Sequence, residues 1–370
     1  MRRAVDRTLL GIVILLVVGG FFIFSSASLG LLAREGASFS SVATSQILYG
    51  IIGGGIALFL TMSVHYRFWR KYAFYIFIAT VILTLLVFMP GIGMSHGGAT
   101  RWISLGGFSF QPAELLKIGY VIYLATWLSG MKQHVSTFTK GTVPFFAIIA
   151  LVGTVMLLQP DTDTFAIMVA AGVAMFLTAG GRWRDVFALA GVGIILIAIL
   201  AFTRPYIMDR LTTFLDPSID PQGKSYQVRQ SLIAIGTGGV VGRGFGQSIQ
   251  KFEYLPEPIG DSIFAVYGEE FGFAGGVALI ALFASFAFRG YKIASEAADL
   301  FGMLLVIGFI TLIVTQAFLN VASMLALAPI SGLPLPFISH GGTALLATLA
   351  SVGIILNVSK YRKRARAVVQ

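Results

Sequence analysis

The run LLGIVILLVVGGFFIF at residues 9–24 decides the fold class. No Asp, Glu, Lys or Arg lies between Arg7 and Arg34. A helix needs about 20 apolar residues to cross the hydrocarbon core of a bilayer, because each residue rises about 1.5 Å. The run therefore predicts a membrane-spanning helix. The small residues that follow it, 25–27, leave a cleaved secretory signal as the alternative, but the apolar stretches farther along the chain favour a first membrane helix.

Nine further apolar stretches follow along the 370 residues. The ten predicted spans begin near Leu9, Ser45, Tyr72, Glu114, Thr142, Thr164, Val186, Ser262, Leu300 and Pro336. The chain is 56% hydrophobic and only 11% charged, whereas soluble domains carry about a quarter of their residues as charged side chains. We expect an all-α polytopic membrane protein with ten transmembrane helices, forming a single membrane domain over residues 1–370. Since the chain has no cysteine, disulfides and thiol chemistry are excluded.

The basic residues predict the orientation, because loops kept in the cytoplasm retain an excess of Lys and Arg. Seventeen of the 26 basic residues lie in the N-terminal segment, in alternate short loops and in the C-terminal tail. The short loops on the other side hold only Arg34 and Arg101. Both termini are therefore predicted to be cytoplasmic. Orientation and anionic lipid headgroups account for the net charge of +10, so we expect no nucleic-acid partner.

The long loop between the seventh and eighth spans, residues 204–261, is predicted to lie outside the cytoplasm. It is long enough to carry a functional site. Glu253, Glu257 and Asp261 recur in it every four residues, although prolines 256 and 258 interrupt a regular helix. A partly desolvated carboxylate has the raised proton affinity that a general base needs. A calcium-binding or merely solvated acidic cluster is the open alternative.

The same loop contains cations and glycines beside these acids. Arg243 and Lys251 could hold an anionic leaving group, and Arg243 lies among glycines that permit close approach of the backbone to a ligand. Residues 228–235 are amphipathic and could lie on the outer leaflet. The stretch Gly223-Lys224-Ser225 lacks the first glycine of a nucleotide-binding loop, so we exclude ATP as an energy source.

Charged residues at membrane depth are candidates for a site, because each costs several kcal/mol unless it is paired or hydrated. Glu114 and Lys117 are three residues apart on one helical face and can neutralise each other, as a structural pair or as a pair that faces substrate. Arg101, in a short outer loop, is predicted to bind an anion, with interfacial anchoring as the alternative. For Glu269 and Glu270 we favour helix packing over chemistry.

Two further polar features have structural interpretations. Asp161 and Asp163 could hold a cation or a proton, but a turn that caps the sixth helix is the favoured interpretation. Residues 329–342 are rich in proline and glycine, and such a break is tolerated at membrane depth only where protein or water satisfies the backbone. His340 in this break is interpreted as a hydrogen-bonding residue rather than a titrating one.

Short motifs along nearly the whole chain resemble those of a known family. They are Arg101-Trp102-Ile103, Gln111-Pro112-Ala113-Glu114 with Lys117, Gln159-Pro160-Asp161, Gln230-Ser231 with Ala234-Ile235-Gly236, Tyr254-Leu255-Pro256-Glu257 with Asp261, Phe264-Ala265-Val266 with Glu269-Glu270, and Gly332-Leu333-Pro334-Leu335-Pro336-Phe337 with Ser339 and Gly341-Gly342. Together they resemble the SEDS family of bacterial membrane proteins (FtsW, RodA and SpoVE), and within it the FtsW branch most. Many members have His-Thr before the loop aspartate, where this chain has Ile259-Gly260.

The resemblance implies a peptidoglycan glycosyltransferase that polymerises lipid II and releases undecaprenyl diphosphate. It implies that Asp261 is the general base and that Glu253 is a second important acid of the catalytic loop. Arg101 and Lys117 match cationic positions of the family's central cavity, which implies that they contact a diphosphate. Substrate-binding roles are also expected for Glu114 and Ser339, and for Arg243 and Lys251 from their charge. No cofactor is required by this interpretation, although a divalent cation could assist the diphosphate.

The resemblance also implies partners and a location. A class B penicillin-binding protein transpeptidase and other proteins of the division or elongation machinery are the expected partners, in the bacterial cytoplasmic membrane. Two other functions stay open. A lipid II flippase would use Glu114, Lys117, Asp161 and Asp163, and a scaffold would only dock a transpeptidase. The motifs do not distinguish a role in division from one in elongation.

Overall fold

The structure is a computed structural model that describes residues 4–33, 39–96, 99–105, 108–216, 223 and 225–362. Helices dominate this part of the chain. Their bounds are α1 Arg7–Ser28, α2 Phe39–Ser45, α3 Gly54–Ser63, α4 Arg67–Leu85, α5 Pro112–Gly130, α6 Val143–Leu158, α7 Thr162–Thr178, α8 Trp183–Thr203, α9 Pro205–Leu215, α10 Tyr226–Thr237, α11 Ile263–Ser295, α12 Leu300–Met324 and α13 Gly342–Ser359. A π-helical stretch, Gln46–Gly53, joins α2 to α3.

The predicted all-α membrane architecture is confirmed. Eight helical stretches of the described residues are long and apolar enough to cross a membrane. The fourth and sixth predicted spans form α5 and α7, which fall short of that standard, because α5 carries Glu114 and Lys117 and α7 has only 17 residues. Both helices pack against α12 inside the bundle, so they need less apolar surface than a lipid-facing helix does. The count of ten stays a prediction.

Capping residues fix where several helices begin. Asp6 accepts a hydrogen bond from the Leu9 amide at 2.9 Å, and Asp299 accepts one from the Gly302 amide at the same distance. Asp161 caps α7 by accepting from the Thr164 amide, which confirms the capping interpretation of this acid. Such a side chain satisfies one of the free amides in the first helical turn.

Ion pairs gather at the end of the bundle where both described termini lie, which we call the terminal end. Asp6 pairs with Arg289, at 2.6 Å, and with Arg362. Asp299 accepts hydrogen bonds from Tyr66 and Arg67. These contacts join the start of α1, the start of α4, the turn between α11 and α12, and the end of α13. The described residues of the long loop, 204–216, 223 and 225–262, lie at the opposite end, which we call the loop end.

A small antiparallel sheet at the loop end was missed by sequence reasoning. Its strands are β1 Gly93–His96, β2 Ala99–Leu105 and β3 Phe108–Phe110, in the order β1-β2-β3. Strands this short carry little alternation of polar and apolar residues, which explains why no pattern indicated them.

The predicted long loop contains two helices of its own. Helix α9 is tied to the start of α7 by Arg210, which donates to both oxygens of Asp163 at 2.8 and 2.9 Å. Helix α10 covers the predicted amphipathic stretch, and it buries Val228, Ser231 and Ala234 while it packs against α11 and α12. The loop is therefore folded onto the bundle.

Candidate active site at the loop end

Asp261 lies at the end of an irregular segment, directly before α11. Hydrogen bonds between backbone groups close this segment, from the Gly260 amide to the Glu257 carbonyl at 3.0 Å and from the Ser262 amide to the same carbonyl at 3.3 Å. Glu257 has a positive φ of 45°, a conformation that side chains rarely adopt. The segment is therefore not helical, as prolines 256 and 258 predicted. Glu253, Glu257 and Asp261 do not share one helical face despite their regular spacing.

The proline-rich break, residues 329–342, holds the backbone directly before Asp261. The Ser339 hydroxyl donates to the Gly260 carbonyl at 2.6 Å, and the His340 amide donates to the Ile259 carbonyl at 2.7 Å. Asn320 on α12 donates to the Asp261 carbonyl at 2.7 Å. Three separate contacts therefore fix the backbone that carries the Asp261 carboxylate.

The Asp261 carboxylate has the electrostatics of a base. The side chain keeps a partly exposed surface, and burial of the rest raises the pKa of its carboxyl to about 6, with a smaller contribution from the negative charge of Glu257. Hydrogen bonding to Gln227 and Ser262 opposes this shift. A carboxylate with a pKa near 6 is ionised at neutral pH and accepts a proton more readily than an ordinary aspartate does.

Glu253, the second predicted catalytic acid, is exposed on the same irregular segment. It lies apart from the backbone contacts that hold Asp261, so the structure does not join the two acids into one cluster. Within the described residues, no group of three or more His, Asp or Glu side chains could hold a metal ion.

Glu114 and Lys117 form the expected ion pair, with 2.8 Å between Oε1 and Nζ. Lys117 also donates to Oε1 of Gln316 on α12 at 2.9 Å. Both charged side chains are buried. They line a cleft of about 290 Å³, a volume that includes its open mouth. Gln316, Thr348 and Ser351 line the same cleft. The pair is thus structural and at the same time faces a cleft within the bundle whose lining is partly polar and partly apolar.

Gln316 and Asn320 were missed by sequence reasoning. Gln316 donates to the Pro334 carbonyl at 2.8 Å, and Asn320 donates to the Leu333 carbonyl at the same distance. They are four residues apart on α12, hence on one helical face. A sequence signal existed, since two amides interrupt an otherwise apolar span. Together they link the Glu114 and Lys117 pair to the proline-rich break and to Asp261.

Two predicted binding residues, Arg101 and Arg243, have partners within the protein. Arg101 donates to the carbonyls of Gln159, at 3.2 Å, and Pro160, and it lies 3.9 Å from Asp161. The partly exposed Arg243 lies 3.5 Å from Glu269. Arg101 therefore anchors β2 to the turn between α6 and α7, and Arg243 anchors the glycine-rich part of the loop to α11.

Lys251 is fully buried, with no exposed surface. Its three donors go to Glu270 at 2.7 Å, to Ser26 at 3.0 Å and to the Gly246 carbonyl at 2.9 Å. No donor is left for a ligand, so the structure assigns Lys251 to an internal ion pair rather than to the anion site expected from its charge. Ser339 likewise uses its hydroxyl to donate to Gly260 and to accept from the Leu335 amide.

Glu269 and Glu270 hold the loop, which agrees with the packing role favoured from the sequence. Glu269 accepts from the Ser248 hydroxyl at 2.6 Å and from the amides of Ile249 and Gln250 at 3.2 Å. Both carboxylates are buried at the outer part of α11. They therefore fix residues 243–251 against the helix that follows Asp261.

The sequence profile of the family described as Cell cycle protein, FtsW/RodA/SpoVE, matches residues 6–364. The chain belongs to this family. It is 37% identical over 350 residues to stage V sporulation protein E of Bacillus subtilis, covering 95% of each chain. It is 38% identical over 370 residues to a probable peptidoglycan glycosyltransferase FtsW of a Geobacter species, covering 99% of this chain and 100% of that one.

Solved structures share the fold. One is a chain from a structure described as "Structural coordination of polymerization and crosslinking by a peptidoglycan synthase complex", with a TM-score of 0.79, 26% identity, and coverage of 96% of this chain and 98% of that one. Another is the rod shape determining protein RodA of Thermus thermophilus, with a TM-score of 0.70, 26% identity, and coverage of 97% and 99%. The likeness extends over the whole bundle and the loop end.

Proposed function

We propose that this chain polymerises lipid II into glycan strands for cell-wall synthesis, as a peptidoglycan glycosyltransferase. The observation that carries the proposal is Asp261, a partly exposed carboxylate with a pKa of about 6, held by three backbone contacts at the loop end. Relatives over the full length of the chain are named probable peptidoglycan glycosyltransferases, which supports the same activity.

The reaction joins two lipid-linked sugars. The 4-hydroxyl oxygen of one N-acetylglucosamine attacks the anomeric carbon of the N-acetylmuramic acid at the lipid-linked end of the other chain. Asp261 accepts the hydroxyl proton as the new carbon–oxygen bond forms. The bond from the anomeric carbon to the phosphate oxygen breaks, and undecaprenyl diphosphate leaves with the electron pair.

The remaining predicted residues divide by their surroundings. Glu114 and Lys117 would meet the substrate in their cleft, where Lys117 offers positive charge to a diphosphate. Arg243 is an exposed cation of the loop and is the second candidate for that contact. Glu253, on the exposed part of the irregular segment, would be the second acid of the catalytic loop. We assign Arg101, Lys251 and Ser339 to holding the site together.

The proposed activity indicates where the protein lies in the cell and which proteins it binds. We place the protein in the bacterial cytoplasmic membrane with both termini in the cytoplasm, so that the loop end and residues 204–261 lie outside the cytoplasm. A class B penicillin-binding protein is the proposed partner, because a structural relative comes from a complex that coordinates polymerisation with crosslinking. Proteins of the division or elongation machinery would recruit this pair.

A liposome experiment separates the three candidate functions. Purified protein is reconstituted with labelled lipid II, and both glycan strands and the transfer of lipid II across the bilayer are measured. Strand formation by the chain alone supports the polymerase. Transfer without strands would favour the flippase, and neither activity, together with binding of a transpeptidase, would favour the scaffold.

A further inference from the structure

Helix α11 is interrupted at Gly272, whose φ of 64° lies in the left-handed region. In an unbroken helix, the amides of Phe273 and Ala274 would donate to the carbonyls of Glu269 and Glu270. The break separates these groups. Each needs another partner if it lies at membrane depth, where water cannot satisfy it.

The glycine-rich part of the loop supplies all four partners. The amides of Phe273 and Ala274 donate to the carbonyls of Gly239 and Val240 at 2.9 and 3.0 Å. The carbonyls of Glu269 and Glu270 accept from the amides of Arg243 and Gly244, both at 3.0 Å. The loop is therefore inserted into the helix by its backbone, while its side chains stay outside.

Those outward side chains are apolar. Val240 is 69% exposed, Val241 is 80% exposed and Phe245 is 51% exposed. We call residues 240–245 the wedge loop. Three exposed apolar side chains on one short loop are unusual for a surface that meets water.

The wedge loop continues an apolar stripe of α11. Phe273 is 71% exposed, and Val277 and Phe288 are exposed on the same helical face. In a membrane protein such a face contacts lipid. The Ala274 amide donates to the Val240 carbonyl of the wedge loop, and the Phe273 amide donates to the neighbouring Gly239 carbonyl. Val240 and Val241 therefore lie beside the end of this lipid-facing stripe that is nearest the loop end.

The length of α11 gives the depth of the wedge loop. Arg289 lies on this helix at the terminal end, where it binds Asp6. Sixteen residues separate Arg289 from Phe273, which is about 24 Å along a helix. The hydrocarbon core is about 30 Å thick. Phe273, and with it the wedge loop, therefore falls within the leaflet at the loop end.

We propose that the wedge loop inserts Val240, Val241 and Phe245 among the acyl chains of the leaflet at the loop end. Insertion would anchor residues 243–251, which Glu269 and Glu270 bind, and would hold the segment that carries Asp261 at the membrane surface. Arg243, within the wedge loop, lies 3.5 Å from Glu269, so its charge has a partner beside the inserted side chains. The insertion does not depend on the proposed enzymatic activity.

Site-directed spin labelling tests the insertion directly, since the chain has no native cysteine. Val241→Cys, Phe273→Cys and Gln247→Cys are labelled with a nitroxide in the full-length protein, reconstituted in phosphatidylcholine and phosphatidylglycerol vesicles. Collision rates with oxygen, which concentrates in acyl chains, and with a water-soluble nickel chelate are then measured. Phe273→Cys is the lipid-facing reference, and Gln247→Cys, exposed beyond the wedge loop, is the aqueous reference.

We expect the Val241→Cys label to match the Phe273→Cys label, with a high collision rate for oxygen and a low rate for nickel. The Gln247→Cys label should show the reverse. A Val241→Cys label that collides mainly with nickel would overturn the proposal, because the loop would then be in water. A label that collides with neither reagent would also overturn it, because a protein surface would then cover the loop.

Discussion

Asp261 gives the proposed reaction a definite dependence on pH. Since burial raises the pKa of its carboxyl to about 6, the base is ionised above this value and protonated below it. We expect the rate of glycan polymerisation to level off above pH 7 and to fall about tenfold for each pH unit well below 6. Initial rates with labelled lipid II between pH 4.5 and 8 would measure this. A flat profile through pH 6 would exclude Asp261 as the titrating base.

Asn320 is a positioning residue whose loss should affect Asp261. Asn320→Leu keeps the branched shape of the side chain but leaves the carbonyls of Asp261 and Leu333 without their donor, which costs about 1–3 kcal/mol. We expect a lower polymerisation rate and a shifted midpoint of the pH profile. Ser323→Ala is the control, because the Ser323 hydroxyl donates to a carbonyl of its own helix. Equal pH profiles for Asn320→Leu and wild type would limit Asn320 to a structural role.

The sequence predicted which residues belong to the candidate site better than it predicted which residues they contact. The position of Asp261 in the loop and the pairing of Glu114 with Lys117 follow from spacing and motif. The burial of Lys251 does not, because its partners Ser26 and Glu270 are distant in sequence and come together only through packing. Gln316 and Asn320 were visible as amides in an apolar span, but their carbonyl acceptors lie in an irregular segment that no periodicity describes.

At the scale of the element, the broken helix α11 depends on glycine at one position. A Cβ at Gly272 would lie 2.4 Å from the Gly242 amide nitrogen, and φ there is 64°. Gly272→Ala should therefore destabilise the protein by about 1–3 kcal/mol. Gly276→Ala is the matched control, because the nearest atom to its added Cβ is 3.9 Å away and alanine favours a helix. Thermal unfolding in detergent should show a lower midpoint for the first variant only, and equal midpoints would contradict the inserted loop.

Secondary-structure elements were predictable where one sequence pattern, such as an apolar run, continues for many residues. The apolar runs gave the membrane helices, with starts displaced by a few residues, as for α13, which begins at Gly342 after the proline-rich break rather than near Pro336. The sheet of β1 to β3 and the break in α11 were not predictable. Both depend on hydrogen bonds between segments, and a helix-forming sequence on each side of Gly272 concealed the break.

At the scale of the molecule, the buried pair of Lys251 and Glu270 joins the loop to α1 and α11. Glu270→Gln leaves a buried, unpaired lysine and should destabilise the fold by about 3–5 kcal/mol. Lys251→Met combined with Glu270→Leu should cost less than the sum of the two single changes. Unfolding midpoints of the single and double variants measure this coupling. Additive losses would contradict a direct pair.

The role of Asp261 as general base is tested most directly by the amount of glycan strand that the purified chain makes from lipid II with and without the Asp261 carboxylate. Asp261→Asn should abolish strand formation. It should also leave the protein at least as stable at pH 7, because the raised pKa means that the folded state favours the protonated form, and ionisation of Asp261 costs up to about 3 kcal/mol above pH 6. A folded Asp261→Asn variant that makes strands at the wild-type rate would contradict the account.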